Sequence, residues 1–350
     1  MINFDKYISS KSAVLICSAI NRRYLCGFKS SAGYLLLTDT GNYCFVDGRY
    51  YEAAKTRVKN NFKVVLLERV SKQIGDIVRR LNLDVLYTET DITVGFLNDL
   101  NNILPCKVIA ESSLSQLILY ERSIKEQWEI DNIIAAQRIA ERAYNNVLNF
   151  IKAGITEREI ALELDYQMQK LGSEGTAFET VAVSGGNSAL PHGVPTDKKL
   201  ENGDFFTLDF GAVQGGYRSD MTRTVAIGYA TDEMEAVYNL VLEAQNAALM
   251  KAKAGVKCKA VDAAARDIIT HAGYAGNFGH GTGHGVGLEI HEYPNVSGRN
   301  DKELIVNQLI TVEPGVYLPE KFGVRIEDMA VIKVNTSENL TNCEKTLIIL

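Results

Sequence analysis

Several features that mark particular classes of protein are missing from this chain of 350 residues. Basic residues are not in excess, since 37 Lys and Arg stand against 43 Asp and Glu for a net charge of −6. A non-specific nucleic-acid binder normally carries a basic excess. No apolar run approaches the roughly 20 residues of a membrane-spanning helix, and the short run 13–16 reads as a strand rather than a signal peptide. We therefore expect a soluble protein whose partners include neither nucleic acid nor a membrane.

Cysteine is scarce and shows no pattern. None of the six cysteines has the Cys-x-x-Cys spacing of a zinc or redox site. Without an export signal, reduced thiols in the cytoplasm are the better interpretation. A catalytic thiol is disfavoured, because no histidine lies near any of the six in the sequence to act as its base. The cysteines are expected to be packing residues of a cytoplasmic protein.

The length exceeds what one hydrophobic core usually supports, so two domains are expected. The first third alternates strand-like and helix-like runs, which predicts an α/β domain over residues 1–121 with a mixed sheet flanked by helices. Its strand candidates are residues 14–16, 34–37, 43–46, 64–67 and 85–87, and its helix candidates are residues 51–58 and 70–81. This part contains no histidine, so any metal chemistry must lie downstream.

The pattern changes near residue 120, where a second domain over residues 122–350 is expected. Residues 124–150 carry a helical apolar stripe, and Thr156 with Glu159 forms the capping box of a second helix that runs to about Leu171. A further helical pair covers 232–253 and 261–272. Paired strands follow each helical pair, which predicts an α+β domain with a crude twofold repetition.

The first group of candidate site residues lies on a predicted hairpin. Gly215 and Gly216 separate two β-prone runs and are a good two-residue turn. With that turn Asp209 pairs with Thr222, and Asp220 is its diagonal neighbour on the same face, within reach of one ion. A change of one residue in the loop would place the two carboxylates on opposite faces. Asp209 could instead be a solvated strand residue, but its apolar neighbours favour burial, and a buried carboxylate needs a cation or donors.

A glycine-rich segment and two later strands supply further candidates. In residues 279–292 five glycines alternate with other residues, which we expect to permit unusual backbone angles beside a reacting centre. The segment fits neither phosphate-loop pattern. It holds His280, His284 and His291, and this clustering favours a site. Glu313 ends an apolar strand at a Pro-Gly turn, and Glu327 follows Arg325 on one strand face, where the two could equally be a solvated ion pair.

Two Asp, two Glu and one His form an oxygen-rich ligand set. Such a set suits Mn²⁺, Co²⁺ or Fe²⁺ at least as well as Zn²⁺, and it does not resemble a structural thiolate site. Four clustered carboxylates without cations would repel one another and be driven to protonate. Two divalent ions offset these charges and leave room for a bridging hydroxide that is nucleophilic near neutral pH.

These motifs resemble the M24 or pita-bread metallopeptidases, in particular the aminopeptidase P and prolidase group with its creatinase-type N-terminal domain. The resemblance covers nearly the whole chain and includes residues 21–28 (NRRYLCGF), 46–50 (VDGRY) and 183–193 (VSGGNSALPHG). It implies a catalytic domain in which pseudo-twofold helices surround a curved antiparallel sheet. It also implies a dimer and a dinuclear metal site, most often with Mn²⁺. The ligands implied by the matching positions are Asp209, Asp220, His284, Glu313 and Glu327.

The resemblance further implies roles around the metals. His192 and His291 contact the substrate and stabilise the tetrahedral intermediate, while Glu313 acts as general base or proton shuttle. Arg325 orients an Asp ligand, and His280 lines the site. Phe178 and Tyr217 are candidates for the wall of a proline pocket, although aromatic residues at such places are more often core. His271 is expected to be structural.

The implied activity is hydrolysis of the bond between an N-terminal residue and proline in peptides. Prolidases often carry a cation after the His-Glu-aromatic-Pro stretch, where it can grip the carboxylate of a dipeptide. Here residues 291–294 are followed by Asn295, and Arg299 lies further along. This departure favours an Xaa-Pro aminopeptidase over an Xaa-Pro dipeptidase. A metal-free peptide-binding module is the alternative from another class, and the retained ligand set argues against it.

Overall fold

The computed structural model describes residues 2–350, which form two compact units. The first ends at Arg122 and the second is Ser123–Leu350. Across residues 2–350, every helix is too short or too polar to cross a membrane.

The first unit is a mixed six-stranded sheet with helices on both faces. Its strands are β1 (Ser12–Ile16), β2 (Tyr34–Thr38), β3 (Gly41–Val46), β4 (Phe62–Leu66), β5 (Val85–Thr88) and β6 (Lys107–Ala110). Its helices are α1 (Ala19–Cys26), α2 (Tyr51–Arg57), α3 (Val70–Leu81), α4 (Val94–Ile103) and α5 (Ser112–Ser123, whose last residue opens the second unit). The strand order is β4-β3-β2-β1-β5-β6, with antiparallel pairing only between β1 and β2 and between β2 and β3.

Alternation along the strands divides the core of this unit into two layers. Leu35 and Leu37 of β2 pack in the layer that includes α2 and α5, whereas Leu36 packs in the layer that includes α3 and α4. Side chains of a strand point alternately to its two faces, so both faces must be covered by helices. The predicted mixed sheet flanked by helices is confirmed. Four elements of this unit, α1, α4, α5 and β6, were not predicted from the sequence.

The second unit is built from antiparallel sheets and two pairs of helices. Its helices are α6 (Gln127–Leu148), α7 (Glu157–Lys170), α8 (Asp232–Lys251) and α9 (Cys258–His271), with 3₁₀ turns at Gly185–Ala189 and Ala275–Asn277. Its strands are β7 (Val181–Ser184), β8 (Phe205–Phe210), β9 (Val213–Gln214), β10 (Tyr217–Arg218), β11 (Met221–Ala226), β12 (Gly283–Gly285), β13 (Glu292–Val296), β14 (Leu309–Val312), β15 (Gly315–Leu318), β16 (Phe322–Arg325), β17 (Asp328–Ile332) and β18 (Ser337–Asn339).

The helical pairs cover corresponding strands in a repeated arrangement. Helices α6 and α7 share a core with β8, and α8 and α9 share a core with β14. The capping box of Thr156 and Glu159 at the start of α7 is confirmed. The preceding helix begins at Gln127 rather than near Ile124, because Glu126 caps it with a capping box of its own. The expected α+β architecture with a twofold repetition of helices and strands is confirmed.

Candidate metal centre

Two carboxylates reach the centre from the β8–β11 hairpin. The register pairs Asp209 with Thr222 and Gln214 with Tyr217, as the two-glycine turn predicted. Both Gly215 and Gly216 have positive φ, at 58° and 80°, which side chains other than glycine rarely adopt. The apolar residues Phe206, Leu208 and Phe210 pack against α6 and α7, so the alternating side chain of Asp209 faces the other way, into the cavity.

The glycine-rich segment places His284 on β12. The predicted reason for its glycines is wrong, because none of the five between residues 279 and 287 has a positive φ. Close packing explains two of them instead: a Cβ would lie 2.0 Å from the Thr311 carbonyl oxygen at Gly283 and 2.3 Å from the Tyr293 carbonyl oxygen at Gly285. A register shift interrupts β12 between His284 and Gly285. Such bulges often re-aim a side chain beside an active site.

The imidazole of His284 presents a lone pair to two carboxylates. Its Nδ1–H donates to the Gly285 carbonyl oxygen at 3.0 Å, so the neutral ring leaves Nε2 unprotonated. Burial lowers the pKa of His284, which favours this neutral form. Nε2 lies 3.3 Å from Glu313 Oε1 and 3.6 Å from Asp220 Oδ2. The lone pair of Nε2 and the two carboxylate oxygens repel one another, and a cation bound between them would remove this repulsion.

Glu313 and Glu327 enter from the strands that the α8–α9 pair covers. Glu313 directly follows β14 and shares a strand face with Thr311, whose hydroxyl donates to it at 3.3 Å. Glu327 lies between β16 and β17, and its Oε2 accepts a hydrogen bond from the Thr222 hydroxyl at 2.7 Å. One ligand atom each from Asp220, His284 and Glu327 lie within 4.8 Å of one another.

Arg325 offsets only part of the repulsion among the buried carboxylates. Burial, followed by repulsion from Glu327 and Asp209, raises the pKa of Asp220 well above its ordinary value. Burial and the neighbouring Glu313 and Asp209 do the same to the pKa of Glu327, and burial raises the pKa of Glu313. In addition, Asp209 Oδ1 and Glu327 Oε1 are buried without a hydrogen-bond partner. Divalent cations would relieve both the repulsion and the unpaired oxygens, so the residues present fit a metal site.

A buried arginine fixes one of these carboxylates. Arg325 Nη2 donates to Asp209 Oδ2 at 2.7 Å, and its Nε donates to the Thr222 hydroxyl at 3.0 Å. Arg325 Nη1 donates to the Tyr317 hydroxyl, which is 2.9 Å from His280 Nε2. All three guanidinium nitrogens donate hydrogen bonds, and the residue is 3% exposed. Arg325 therefore holds the orientation of Asp209 and is no solvated partner of Glu327.

The remaining candidates are divided between the cavity and the core. One cavity of about 650 Å³ is lined by His192, His280, His291, Phe178, Arg325 and all five carboxylate and histidine candidates for the metals. Tyr217 is absent from this lining: it is buried, its hydroxyl donates to Glu129 at 2.7 Å, and its ring packs edge-on against Trp128. The structure thus gives Tyr217 a core position rather than a place in a pocket wall. His271 is exposed at the end of α9, away from the lining.

Two supports of the site carried no signal in the sequence. Glu157, fully buried at the start of α7, accepts hydrogen bonds from Ser184 and Thr196, which flank the segment carrying His192. Asp262 of α9 accepts hydrogen bonds from the backbone N–H and the hydroxyl of Thr282, which lies in the glycine-rich segment two residues before His284. Both carboxylates act on segments more than 15 residues away in sequence, and no local pattern links them.

Comparisons with known proteins agree with this geometry. Residues 131–334 match the model of metallopeptidase family M24, and residues 9–124 match that of the creatinase/prolidase N-terminal domain. An Xaa-Pro dipeptidase of Pyrococcus horikoshii is 38% identical over 342 residues, which cover 97% of this chain and 95% of that protein.

Solved structures share the whole fold. An Xaa-Pro dipeptidase from Bacillus anthracis matches with a TM-score of 0.93 at 38% identity, covering 97% of this chain and 95% of the other. An X-Pro aminopeptidase from Thermotoga maritima matches with a TM-score of 0.91 at 37% identity, covering 97% of each chain. The resemblance drawn from the motifs is confirmed, and the family implies a site for divalent metal ions. The chain belongs to metallopeptidase family M24 and carries a creatinase/prolidase N-terminal domain.

Proposed function

We propose that the chain is an Xaa-Pro aminopeptidase, which hydrolyses the bond between an N-terminal residue and a following proline. In this proposal Asp209, Asp220, His284, Glu313 and Glu327 hold two divalent ions. The observation that carries it is the convergence of these five side chains on one cavity, where two buried carboxylate oxygens have no hydrogen-bond partner. The names of the similar proteins, Xaa-Pro dipeptidase and X-Pro aminopeptidase, support the substrate class.

The metal ions, Glu313 and Arg325 have different roles in the proposed hydrolysis. When bound, the two ions supply an acidified water molecule and a Lewis acid for the scissile carbonyl. Glu313 accepts a proton from the attacking water and delivers it to the leaving proline nitrogen, a role that its position in the cavity lining beside the other proposed ligands suits. Arg325 keeps Asp209 fixed during this exchange.

Two exposed histidines and one aromatic ring bind the peptide. His192 and His291 are exposed within the cavity, where their ring N–H groups donate to the substrate and to the oxygen that gains charge in the transition state. Phe178 is half-buried in the lining and offers a flat apolar surface for the proline ring. His280 is engaged with Tyr317, so it shapes the cavity wall.

The charges of the lining favour peptides longer than two residues. Among the described residues of the lining, Arg325 is the one Lys or Arg, and it is committed to Asp209. Asn295 lies in the lining, while Arg299 is exposed outside it. A dipeptide carries its carboxylate directly on the proline, and such a carboxylate needs a cation nearby. Hydrolysis of Xaa-Pro dipeptides is the second candidate, supported by the names of similar proteins.

Substrate length is tested by comparing matched peptides. We expect kcat/KM for a tripeptide such as Ala-Pro-Ala to exceed that for Ala-Pro by about tenfold. The reason is that the carboxylate of the dipeptide lacks one charge-assisted hydrogen bond, and the free energy of such a bond corresponds to about this factor. Asn295→Arg should raise kcat/KM for the dipeptide and leave the tripeptide value within about twofold. A wild-type preference for the dipeptide would favour the dipeptidase.

Other features of the proposal rest on the sequence and the family resemblance. The metal is Mn²⁺ by preference, with Co²⁺, Fe²⁺ or Zn²⁺ as alternatives suited to oxygen-rich ligands. We assign residues 1–121 to the creatinase-like domain and residues 122–350 to the catalytic domain. A homodimer and a cytoplasmic location stay predictions. A metal-free binding module would leave the unpaired oxygens of Asp209 and Glu327 without a cation.

A further inference from the structure

A buried ion pair lies next to the cavity and is not used by the proposed chemistry. Lys125 Nζ donates to Glu292 Oε2 at 2.8 Å, and the two side chains are only 1% and 3% exposed. Two charges removed from water in this way gain little net stability over apolar residues of the same size. A role in holding a defined geometry therefore merits a test.

The pair closes the loop that carries His291. Glu292 follows His291 directly, and its second oxygen, Oε1, accepts a hydrogen bond from the Glu289 backbone N–H at 3.0 Å. The Glu292 backbone pairs with Gly285 on β12. At Gly287 a Cβ would lie 2.6 Å from Glu292 Oε2 and 2.8 Å from Lys125 Nζ, so a side chain there would displace the charged ends of the pair. The contacts of Glu292 fix one end of residues 287–292, and the Arg218 backbone N–H, which donates to the Gly287 carbonyl oxygen at 2.9 Å, fixes the other.

The cation of the pair is itself anchored. The backbone N–H of Lys125 donates to the Asn307 carbonyl oxygen at 2.9 Å, and the neighbouring Ile124 forms a β-bridge with Gln308, just before β14. The ammonium group thus reaches Glu292 from a backbone segment tied to the strand that leads to Glu313. Through Lys125, the loop that carries His291 is therefore connected to β14, the strand that Glu313 follows.

We propose that Lys125 and Glu292 are positioning residues that set the orientation of the His291 imidazole toward the substrate. His291 is exposed in the cavity, and its ring packs edge-on against His284 at 4.3 Å between centroids. Its ring has no hydrogen bond to a described residue, so its placement depends on the loop backbone that carries it and on the contact with His284. The role of His291 in this inference rests on the proposed function.

The first test is a double-mutant cycle on the metal-loaded enzyme. Lys125→Met/Glu292→Gln removes both charges of the pair together, so neither of the two residues keeps a charge after the other has lost its own. We expect kcat for an Xaa-Pro-Xaa peptide to fall about tenfold with KM little changed, as for other residues that orient active-site groups. In a His291→Ala background the same pair of changes should have no further effect. The matched control is Lys333→Met/Glu338→Gln, which neutralises an exposed ion pair of 3.0 Å outside the cavity lining and should leave kcat unchanged.

The second test does not depend on turnover. In the Zn²⁺ form with ¹³C-labelled histidine, the ring signal of His291 is identified by its loss in His291→Ala. We expect Lys125→Met/Glu292→Gln to shift this signal and leave that of the exposed His271 in place. Lys125→Arg, which keeps the charge and changes its reach, is a second variant that should shift the signal in the same experiment.

The outcomes separate the inference from the proposed function. An unmoved His291 signal in both variants, or losses of kcat that multiply with that of His291→Ala, would overturn the positioning role. A wild-type enzyme that cleaves no Xaa-Pro peptide would instead refute the proposed function, and the ring signal would still decide the role of the ion pair.

Discussion

Asp220→Asn is expected to remove at least about 4 kcal/mol of transition-state stabilisation, a loss of roughly a thousandfold in kcat/KM. The amide keeps the size of the side chain but carries no charge, so the proposed metal site loses one of its four carboxylates. The measurement is kcat/KM on an Xaa-Pro-Xaa peptide together with the metal content per chain. Asp131→Asn makes the same chemical change on the exposed face of α6 and should leave both values unchanged.

The same substitution should stabilise the metal-free protein. Burial, and after it repulsion from the neighbouring carboxylates, raises the pKa of Asp220, so its ionised form destabilises the metal-free fold at neutral pH. The native chain binds this proton more tightly than the unfolded chain, in which the aspartate pKa is about 3.9. The destabilisation therefore grows as the pH rises above about 4.

We expect chelated Asp220→Asn to melt a few degrees higher than chelated wild type at neutral pH, with ~1 kcal/mol corresponding to about 2–4 °C in a domain of this size. The difference should vanish near pH 4. Wild-type activity in the variant would contradict the assignment of Asp220 as a metal ligand. Equal melting temperatures of the chelated proteins at neutral pH would contradict the repulsion among the buried carboxylates.

Glu313→Gln is expected to lower kcat by about 10²–10⁴-fold, because the amide cannot accept and return a proton. The side chain follows β14, and the Thr311 hydroxyl and a backbone hydrogen bond to Thr282 hold it in place. The variant should therefore fold, and the loss should appear in kcat more than in KM. Steady-state kinetics at saturating metal measures this split.

Glu89→Gln provides the control for that loss. Glu89 is also a buried glutamate with a pKa raised by burial, but it lies in the first unit, where it accepts hydrogen bonds from the Cys17 backbone and the Asn21 side chain. The change at Glu89 should alter stability and leave kcat unchanged. Turnover within about tenfold of wild type in Glu313→Gln would exclude Glu313 as the proton carrier.

Local rules in the sequence predicted the parts of the site that depend on local geometry. Two glycines with the backbone angles of a tight turn set the register of β8 and β11, and that register brings Asp209 and Asp220 to one face. Thr156 and Glu159 predicted the start of α7. In each case, the decisive interaction joins residues only a few positions apart.

Long-range packing decided the features that the sequence did not reveal. Gly283, in the segment before His291, is required because the Thr311 carbonyl oxygen approaches it from a strand distant in sequence. Tyr217 lies in the core, where its hydroxyl donates a hydrogen bond to Glu129 of α6. The supports Glu157, Asp262 and Lys125 act on segments far away in the sequence, and single-sequence patterns carry no record of such pairings.

The five side chains are proposed to form a two-ion site that makes the protein a peptidase for Xaa-Pro bonds. The most direct measurement titrates Mn²⁺ into the chelated protein and follows both bound metal and hydrolysis of an Xaa-Pro-Xaa peptide. We expect activity to rise with the metal and to saturate at two ions per chain. A protein that binds no metal and cleaves no such peptide at saturating Mn²⁺ would contradict the account.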